Sequence, residues 1–484
     1  MIKPIRLTLA LSALALFLAG CSVGPHYERP ATDTPKAFKE AYLSPQAAQQ
    51  WKTAQPSDDI QRGRWWTIFN DSDLNSLEDL AMAANQDLKA AAARVAQARA
   101  LLKGSRSELF PQIDAGLGVN RQRASNASQG LAADAPNSPK SLWRAQAGVS
   151  YEADLFGRVA SSVDAATADA QQSEALFQSV RLALQADAAQ GYFAIRRLDA
   201  EQELYRNTVQ LRTQTLRLVQ RRFTEGDISE LDVARAKSEL ASAQSESLGI
   251  ARQRAQAEHA LAILLGKAPA EFSMSPRPLE RISIGIPAGL PSSLLERRPD
   301  IAAAERAMAG ANARIGAARA AFFPRLNITG ALGYESSQLQ DLFEWSSRTF
   351  LIGPLIGTVL SLPLFDGGQR QAGLDRAKAK YEEDVALYRQ TVLNAFREVE
   401  DSLSSLRILG DQTKIQQDAV QSAARAAQLS QIQYREGSIS YLDVLDADRV
   451  VLQQRRTAVQ LDGQQAQATV QLIRAIGGGW DAPV

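Results

Sequence analysis

The sequence predicts a mixed α and β protein built from two tandem repeats of one structural plan. Long helical patterns occupy most of the chain, and four short segments between them alternate apolar and polar residues, as strands do. A motif also occurs twice: Phe223–Val233 reads FTEGDISELDV, and Tyr434–Val444, 211 residues later, reads YREGSISYLDV. Each repeat is therefore expected to contain a helix, two strands, a long helix, a tight tip and a returning helix.

The composition argues against several classes of function. The 484 residues include 54 basic and 53 acidic side chains, a net charge of +1 that gives no support to nucleic-acid binding. One cysteine and two histidines cannot supply a disulfide framework or a Cys/His metal cluster. His26 lies in a Pro-rich segment and His259 in a helical heptad pattern, and no phosphate-binding loop is present. We therefore predict no catalytic residue, no metal site, no cofactor and no enzyme activity.

Residues 1–20 have the pattern of a signal peptide. Lys3 and Arg6 precede the apolar run Leu7–Leu18, which is too short to span a membrane. Cys21, the first residue after the predicted signal peptide, is the only cysteine of the chain. Its setting resembles a bacterial lipoprotein signal, in which that cysteine is acylated. We predict that Cys21 carries a covalent lipid; an exported protein with a buried cysteine is the alternative. By resemblance to other lipoproteins, an aspartate directly after the acylated cysteine favours retention in the inner membrane, so Ser22 is compatible with the outer membrane.

The first repeat is predicted over residues 71–267, after an extended, proline-rich segment at 21–70. Asp71 or Ser72 can cap a helix that ends before Phe110-Pro111. Alternation predicts strands at about 112–122 and 142–154, joined by a polar loop. Such alternation fits a membrane strand with one apolar face, although it fits an ordinary soluble hairpin as well.

A helix of unusual length follows Gly157. An apolar seam with alternating spacings of four and three residues predicts a coiled coil: Val159, Val163, Ala166, Ala170, Ser173, Phe177, Val180 and Leu184. The pattern continues to about Arg222, so the helix is about 65 residues, or roughly 100 Å, long. After the first tip, at about 223–233, a second helix returns over Leu231–Leu265.

The plan then repeats over residues 300–480. A Pro-rich linker at 268–299 precedes it, and Asp300–Pro324 aligns with Asp87–Pro111 without a gap. Strands are predicted at about 325–336 and 350–364, a long helix from Gln369, and a second tip at about 434–444. Residues 481–484 are predicted to form a C-terminal tail.

The two tips carry turn and capping residues at matching positions. Gly226 and Gly437 can adopt the positive φ with which helices often end. Ser229 and Ser440 are candidate N-caps, and an aspartate three residues after each one, Asp232 and Asp443, suits the first helical turn. Capping does not account for the second tip's Asp446 and Arg449, which lie three residues apart on one helical face.

Four strands of membrane length cannot close on themselves, and an open strand edge is not tolerated in lipid. If these strands span a membrane, the protein is an oligomer. Two chains supply eight strands and three supply twelve, and of these only the twelve-strand assembly leaves room for an open lumen.

Several motifs together resemble those of TolC-like outer-membrane factors, the outer membrane efflux protein family, and in particular those of its lipoprotein branch. The segments that carry the resemblance are Val23–Pro30, Asp154–Arg158, Arg297–Ile301, Ile315–Pro324, Tyr441–Ala447 and the Gly-Gly-Gly-Trp run at Gly477–Trp480. It implies a homotrimer in the outer membrane with a twelve-strand barrel, continued into the periplasm by a long α-helical tunnel. It also implies a periplasmic adaptor and an inner-membrane transporter of the resistance–nodulation–division type as partners.

The resemblance places a periplasmic gate at the second tip. Leu442, Asp446 and Arg449 match constricting and latching positions, and Asp443 matches a second acidic ring of some relatives. Because Arg235 takes the place of Asp446 in the first repeat, we predict that Asp446 pairs with Arg235 or Arg449 of an adjacent hairpin. The alternative is a weak pair between Asp446 and Arg449 within one helix.

The implied function is passive conduction of drugs or other toxic small molecules out of the cell. Four methionines, Met1, Met82, Met274 and Met308, do not suggest a methionine-lined metal conduit, although metal export through a non-selective tube stays compatible. A channel for type I protein secretion and a lipid-anchored coiled-coil scaffold without a pore are the alternatives.

Overall fold

The computed structural model describes residues 23–31, 34–35, 37–40, 63–282, 291–352 and 360–478. The predicted signal peptide and Cys21 lie outside this range. The chain forms two compact units. The described residues within 1–31, 95–173 and 304–388 belong to the first unit, and those within 32–94, 174–303 and 389–484 belong to the second.

The element order confirms the predicted mixed fold with two repeats. The first repeat contains α1 (Ser72–Ala84), α2 (Gln86–Ser107), β1 (Gln112–Gln122), β2 (Lys140–Ala153), α3 (Arg158–Thr224) and α4 (Glu230–Leu264). The second contains α5 (Pro291–Arg297), α6 (Pro299–Ala320), β3 (Arg325–Ser336), β4 (Arg348–Ile352), β5 (Leu360–Ser361), α7 (Gln369–Arg435) and α8 (Tyr441–Ala475). Equivalent helices have equal lengths: 22 residues in α2 and α6, 67 in α3 and α7, and 35 in α4 and α8.

Local chemistry explains where the first helices begin and pack. The carboxylate of Asp71 accepts hydrogen bonds from the backbone N–H groups of Asp73 and Leu74, at 2.9 and 3.2 Å, and so caps α1. A 3₁₀ turn at Trp65–Phe69 precedes it, within the segment predicted to be extended. The two tryptophans of that turn are buried against α3 and α8 and anchor the core of the second unit.

The apolar seam of α3 packs as its spacing predicts. Every member from Val159 to Leu184 is buried or half-buried. No helix among the described residues is both long enough and apolar enough to cross a membrane.

All strand pairs in the first unit are antiparallel, in the order β1-β2-β3-β4, and β5 pairs with β3 beside β4. Gln112 lies opposite Ser150 in the first pair, and Tyr151 lies opposite Ile328 in the second. The strand expected at about 350–364 is represented by β4 and β5, and residues 353–359 between them lie outside the described part. The sheet therefore has β1 at one edge and the β4–β5 stretch at the other.

Two of the sequence motifs turn out to hold the chain together. In the first unit, the segment 23–31 lies on α6: Tyr27 donates to Glu305 at 2.9 Å, and Asn312 donates to the carbonyl of Pro25 at 3.0 Å. In the second unit, the guanidinium of Arg298 is buried and bonds to Asp300, to Glu398 at 2.6 Å and to the carbonyl of Ala475 at 3.0 Å.

Candidate functional site

The two hairpin tips form their turns through glycines in the left-handed region. Gly226 has φ of +84° and Gly437 has φ of +76°, and a Cβ at either position would meet no atom within 4 Å. These positions therefore need glycine for its backbone conformation and not for space. The turns close alike, because the N–H of each glycine donates to the carbonyl three residues earlier, at 3.0 and 3.1 Å.

The helices that follow the two turns are capped differently. At the second tip, the backbone N–H and the hydroxyl of Ser440 both donate to Asp443, at 2.9 and 2.7 Å, as part of a capping box. These hydrogen bonds, first that of the hydroxyl, lower the pKa of Asp443. At the first tip, Ser229 donates to Asp232 at the longer distance of 3.3 Å. Asp443, predicted as a gate residue, thus caps α8 within its own chain.

Apolar side chains of the second tip pack on the first hairpin. Tyr441 and Leu445 of α8 are buried against Val219 of α3 and against Val233 and Ala236 of α4. Burial, and then the neighbouring Tyr434, raises the pKa of Tyr441 to about 12. Leu442, which the resemblance assigns to the constriction, stays 38% exposed.

Arg449 joins the second tip to the first hairpin through a residue that the sequence did not suggest. Its guanidinium donates to Asp446 at 3.1 Å on its own helix and to Glu239 of α4, with 3.0 Å from Nε to Oε1. Glu239 also accepts from Arg212 of α3, at 2.9 Å to its carboxylate and 2.6 Å to its carbonyl. The Glu239 hydrogen bonds raise the pKa of Arg449. We call Arg212, Glu239, Asp446 and Arg449 the tip cluster.

Of the two pairings open to Asp446, the structure of one chain contains the one within a single helix. Arg235, the other candidate partner, bonds to Asp232 at 3.5 Å on its own helix. The pair between Asp446 and a basic residue of an adjacent hairpin stays a prediction. A signal for Glu239 existed in the sequence, because it falls in the stripe of Val233, Ala236 and Ala243 that is buried on α4.

The contact between α8 and the first hairpin continues every seven residues. The guanidinium of Arg456 donates to the hydroxyl of Tyr205 at 3.3 Å and lies 3.6 Å from the carboxylate of Glu246. At Gly463 the contacting side chain comes from the first hairpin instead of from α8. An added Cβ would lie 2.8 Å from Cγ of Arg197, whose aliphatic stem covers the glycine. The tip cluster is thus the end of a longer interface between the two hairpins.

Across the described residues, no group of three or more His, Cys, Asp or Glu side chains is arranged to hold a metal ion. The tip cluster is built from paired charges, so it is suited to holding two hairpins together and releasing them.

Comparisons with known proteins agree with this architecture. The family described as outer membrane efflux protein matches residues 77–267 and 290–478, one stretch in each repeat. The chain is 32% identical to the cation efflux system protein CusC of Escherichia coli over 96% of its length and 97% of that protein's. It is 36% identical to the toluene efflux pump outer membrane protein TtgI of Pseudomonas putida, with the same coverage. The crystal structure of the Campylobacter jejuni CmeC outer membrane channel superposes with a TM-score of 0.86, at 26% identity and 95% coverage of both chains.

Proposed function

The chain belongs to the outer membrane efflux protein family, and we propose that three copies of it form the exit duct of a tripartite pump, closed at its periplasmic mouth by the tip cluster. As a member of this family it is the outer-membrane channel component of an efflux pump. The proposed partners are a periplasmic adaptor and an inner-membrane transporter of the resistance–nodulation–division type. The transporter supplies the energy, and this chain conducts passively.

The edges of the sheet support assembly from several copies. β1 has eleven residues, all of them exposed, and within the described chain it pairs only with β2. At the other edge, the described residues of β4 and β5 pair only with β3. Unpaired backbone groups at a strand edge are costly in lipid, and pairing β1 of one copy with the opposite edge of the next satisfies both. Three copies give the twelve strands that leave an open lumen.

A lipid on Cys21 would add a second attachment to the outer membrane. The segment that begins two residues after it is fastened to α6, the helix that leads into β3. A Cβ on Gly316, late in α6, would lie 3.1 Å from Cα of Gly24. The N-terminal segment is therefore held near the start of a strand, where acyl chains on Cys21 can reach the membrane.

We propose toxic small molecules, including drugs, as the substrates. Two relatives of similar identity are named for different cargoes, cations and toluene, so a duct of this kind is not restricted to one chemical class. The chain's four methionines give no basis for a dedicated soft-metal path.

The observation that carries the gate is Arg449, because it bonds to Asp446 on its own tip and to Glu239 on the other hairpin. A surface i,i+3 pair contributes only about 0.2–0.5 kcal/mol, so Asp446 alone holds little. Glu239 is 9% exposed, and breaking a buried pair costs on the order of 3–5 kcal/mol. Because Arg449 is half exposed, we expect less than that for its own bond, but more than for the Asp446 pair. When the second tip moves outward, Arg449 separates from Glu239 and the mouth opens.

Single-channel conductance in a planar bilayer tests this gate. We expect a small conductance in the wild type, a rise in Asp446→Ala, and a larger, several-fold rise in Arg449→Ala and Glu239→Gln. Asp411→Ala is the matched control, since it removes an exposed i,i+3 pair with Lys414 on α7 and leaves the tips intact. Conductance that is the same in all variants would overturn the gate and keep the channel. Inserted protein that never conducts would overturn the duct itself.

A further inference from the structure

Equivalent helices of the two repeats are covered very differently in the first unit. On α6, six residues between positions 309 and 320 are buried: Gly310, Ala311, Asn312, Ile315, Gly316 and Ala320. The matching stretch of α2, residues 96–107, has no buried residue, and Leu101 there is 72% exposed. Since the two helices have the same length and the same place in their repeats, α2 lacks, within the described part of the chain, a neighbour that α6 has.

The neighbour of α6 is the beginning of α3, from the other repeat. A Cβ on Gly316 would lie 2.8 Å from Oγ of Ser161, and Arg314 forms an ion pair with Asp169. Just beyond this contact, Phe156 and Phe323 stack with ring centres 4.8 Å apart and ring planes inclined by 24°. The beginning of α3, in the first repeat, therefore covers α6 and the Phe323-Pro324 turn of the second repeat.

The equivalent surfaces of the opposite repeats, at the start of α7 and at the end of α2, are exposed. Phe365 takes the place of Phe156 in the second repeat, and Phe110 takes the place of Phe323 in the first. Phe365 is 92% exposed and Phe110 is 67% exposed. The first fifteen residues of α7, positions 369–383, contain no buried residue, whereas five of the first fifteen residues of α3, positions 158–172, are buried.

We propose that these surfaces bind each other between copies of the chain, with Phe365 of one copy stacked on Phe110 of the next as Phe156 stacks on Phe323 within a copy. The start of α7 then covers α2 of the next copy. This interface rests on the proposed assembly from several copies. The two copies contribute different surfaces to the interface, so the contact is heterologous. Such a contact closes into a ring when the rotation between copies permits.

The interface is continuous with the sheet edges. Phe110 lies two residues before β1, and Leu364, 87% exposed, lies three residues after β5. Where Arg314 and Asp169 form an ion pair within a copy, Leu101 and Lys380 take their places between copies. Lys380 already bonds to Glu383 and Asp384 on its own helix, so the contact between copies is more apolar than its template.

Cysteine cross-linking tests the stacked pair. Cys21 is the only native cysteine, so the parent chain is the background control. In membranes treated with a short bismaleimide, the double variant Phe110→Cys/Phe365→Cys is expected to give covalent dimers and trimers on a denaturing gel. Co-expressed single variants Phe110→Cys and Phe365→Cys, which each retain one ring, are expected to give dimers.

Two control pairs calibrate the result. Phe156→Cys/Phe323→Cys reproduces the template and is expected to link within one chain, with no gain in mass. Phe110→Cys/Phe343→Cys combines two exposed phenylalanines that the repeat does not bring together, and it is expected to stay monomeric.

The proposal fails if native mass measurement finds the trimer and the template pair reacts, but Phe110→Cys and Phe365→Cys do not link. It also fails if the Phe343→Cys control links equally well. A chain that is monomeric in native mass measurement would overturn the assembly on which the proposal rests, and the proposal with it.

Discussion

Glu239 shows how a single residue escapes prediction from sequence. The patterns around Asp446 and Arg449 identify them as residues that capping does not explain, and the structure joins them at 3.1 Å. Their link to the first hairpin depends on how two distant segments pack, and no local spacing reports that. A carboxylate within the apolar stripe of α4 is nevertheless a visible irregularity, because a charge is buried only where partners such as Arg212 compensate it.

Glu78 is another buried carboxyl, and within the described chain no basic side chain pairs with it. It lies on α1 between the buried residues Leu74 and Ala81. Neither of its side-chain oxygens has a hydrogen-bond partner within the described chain. Burial raises the pKa of Glu78 to about 9, so the folded chain holds this side chain as a neutral acid at neutral pH.

The pH dependence of stability checks this assignment. The folded state keeps a proton that the unfolded state releases above about pH 4.5, so Glu78 lowers stability as pH rises from there toward 9. Glu78→Gln and Glu78→Leu cannot ionise, and each is expected to gain up to about 1.4 kcal/mol on the wild type per pH unit between pH 5 and 8. Thermal unfolding in detergent measures the difference. Wild-type and variant profiles that run parallel over this range would contradict a neutral Glu78.

At the scale of elements, the repeat predicts helix length better than it predicts contacts. The strands expected at 112–122 and 325–336 have those limits, because alternation and the preceding Phe-Pro corner act locally. The limits of the fourth strand are harder to predict, since Pro354 and two glycines, Gly353 and Gly357, interrupt an apolar run. Gly463 is another example: its place on α8 looks like an ordinary weak point in a helix, and only packing reveals the stem of Arg197 above it.

A glycine substitution separates packing from helix propensity. Gly463→Ala is expected to lower the midpoint of thermal unfolding, because the new Cβ meets Cγ of Arg197 at 2.8 Å and overpacking costs about 1–3 kcal/mol. Gly249→Ala is the control, since this α4 glycine has no atom within 4 Å of the new Cβ and alanine favours the helix by about 0.5–1 kcal/mol. If both substitutions stabilise the protein, Gly463 is not a contact point between the hairpins.

For the whole molecule, the two repeats account for both what one chain completes and what it leaves open. Within the first unit, β2 pairs with β3, and the beginning of α3 covers α6. Within the described part of the chain, the equivalent surfaces at the sheet edges, on α2 and at the beginning of α7 have no such partner. Sequence comparison of the repeats indicates that the surfaces are equivalent, but it cannot tell which are filled within a chain and which between chains.

The central claim, that the duct opens when the second tip leaves the first hairpin, is tested most directly by tethering them. Ala236 and Leu445 pack in one cluster across the two hairpins, so Ala236→Cys/Leu445→Cys can be joined by a reducible thiol cross-linker. In an Arg449→Ala background, we predict high conductance before cross-linking, wild-type conductance once the tether forms, and recovery on reduction. A tethered channel that conducts as well as the untethered one would contradict the claim.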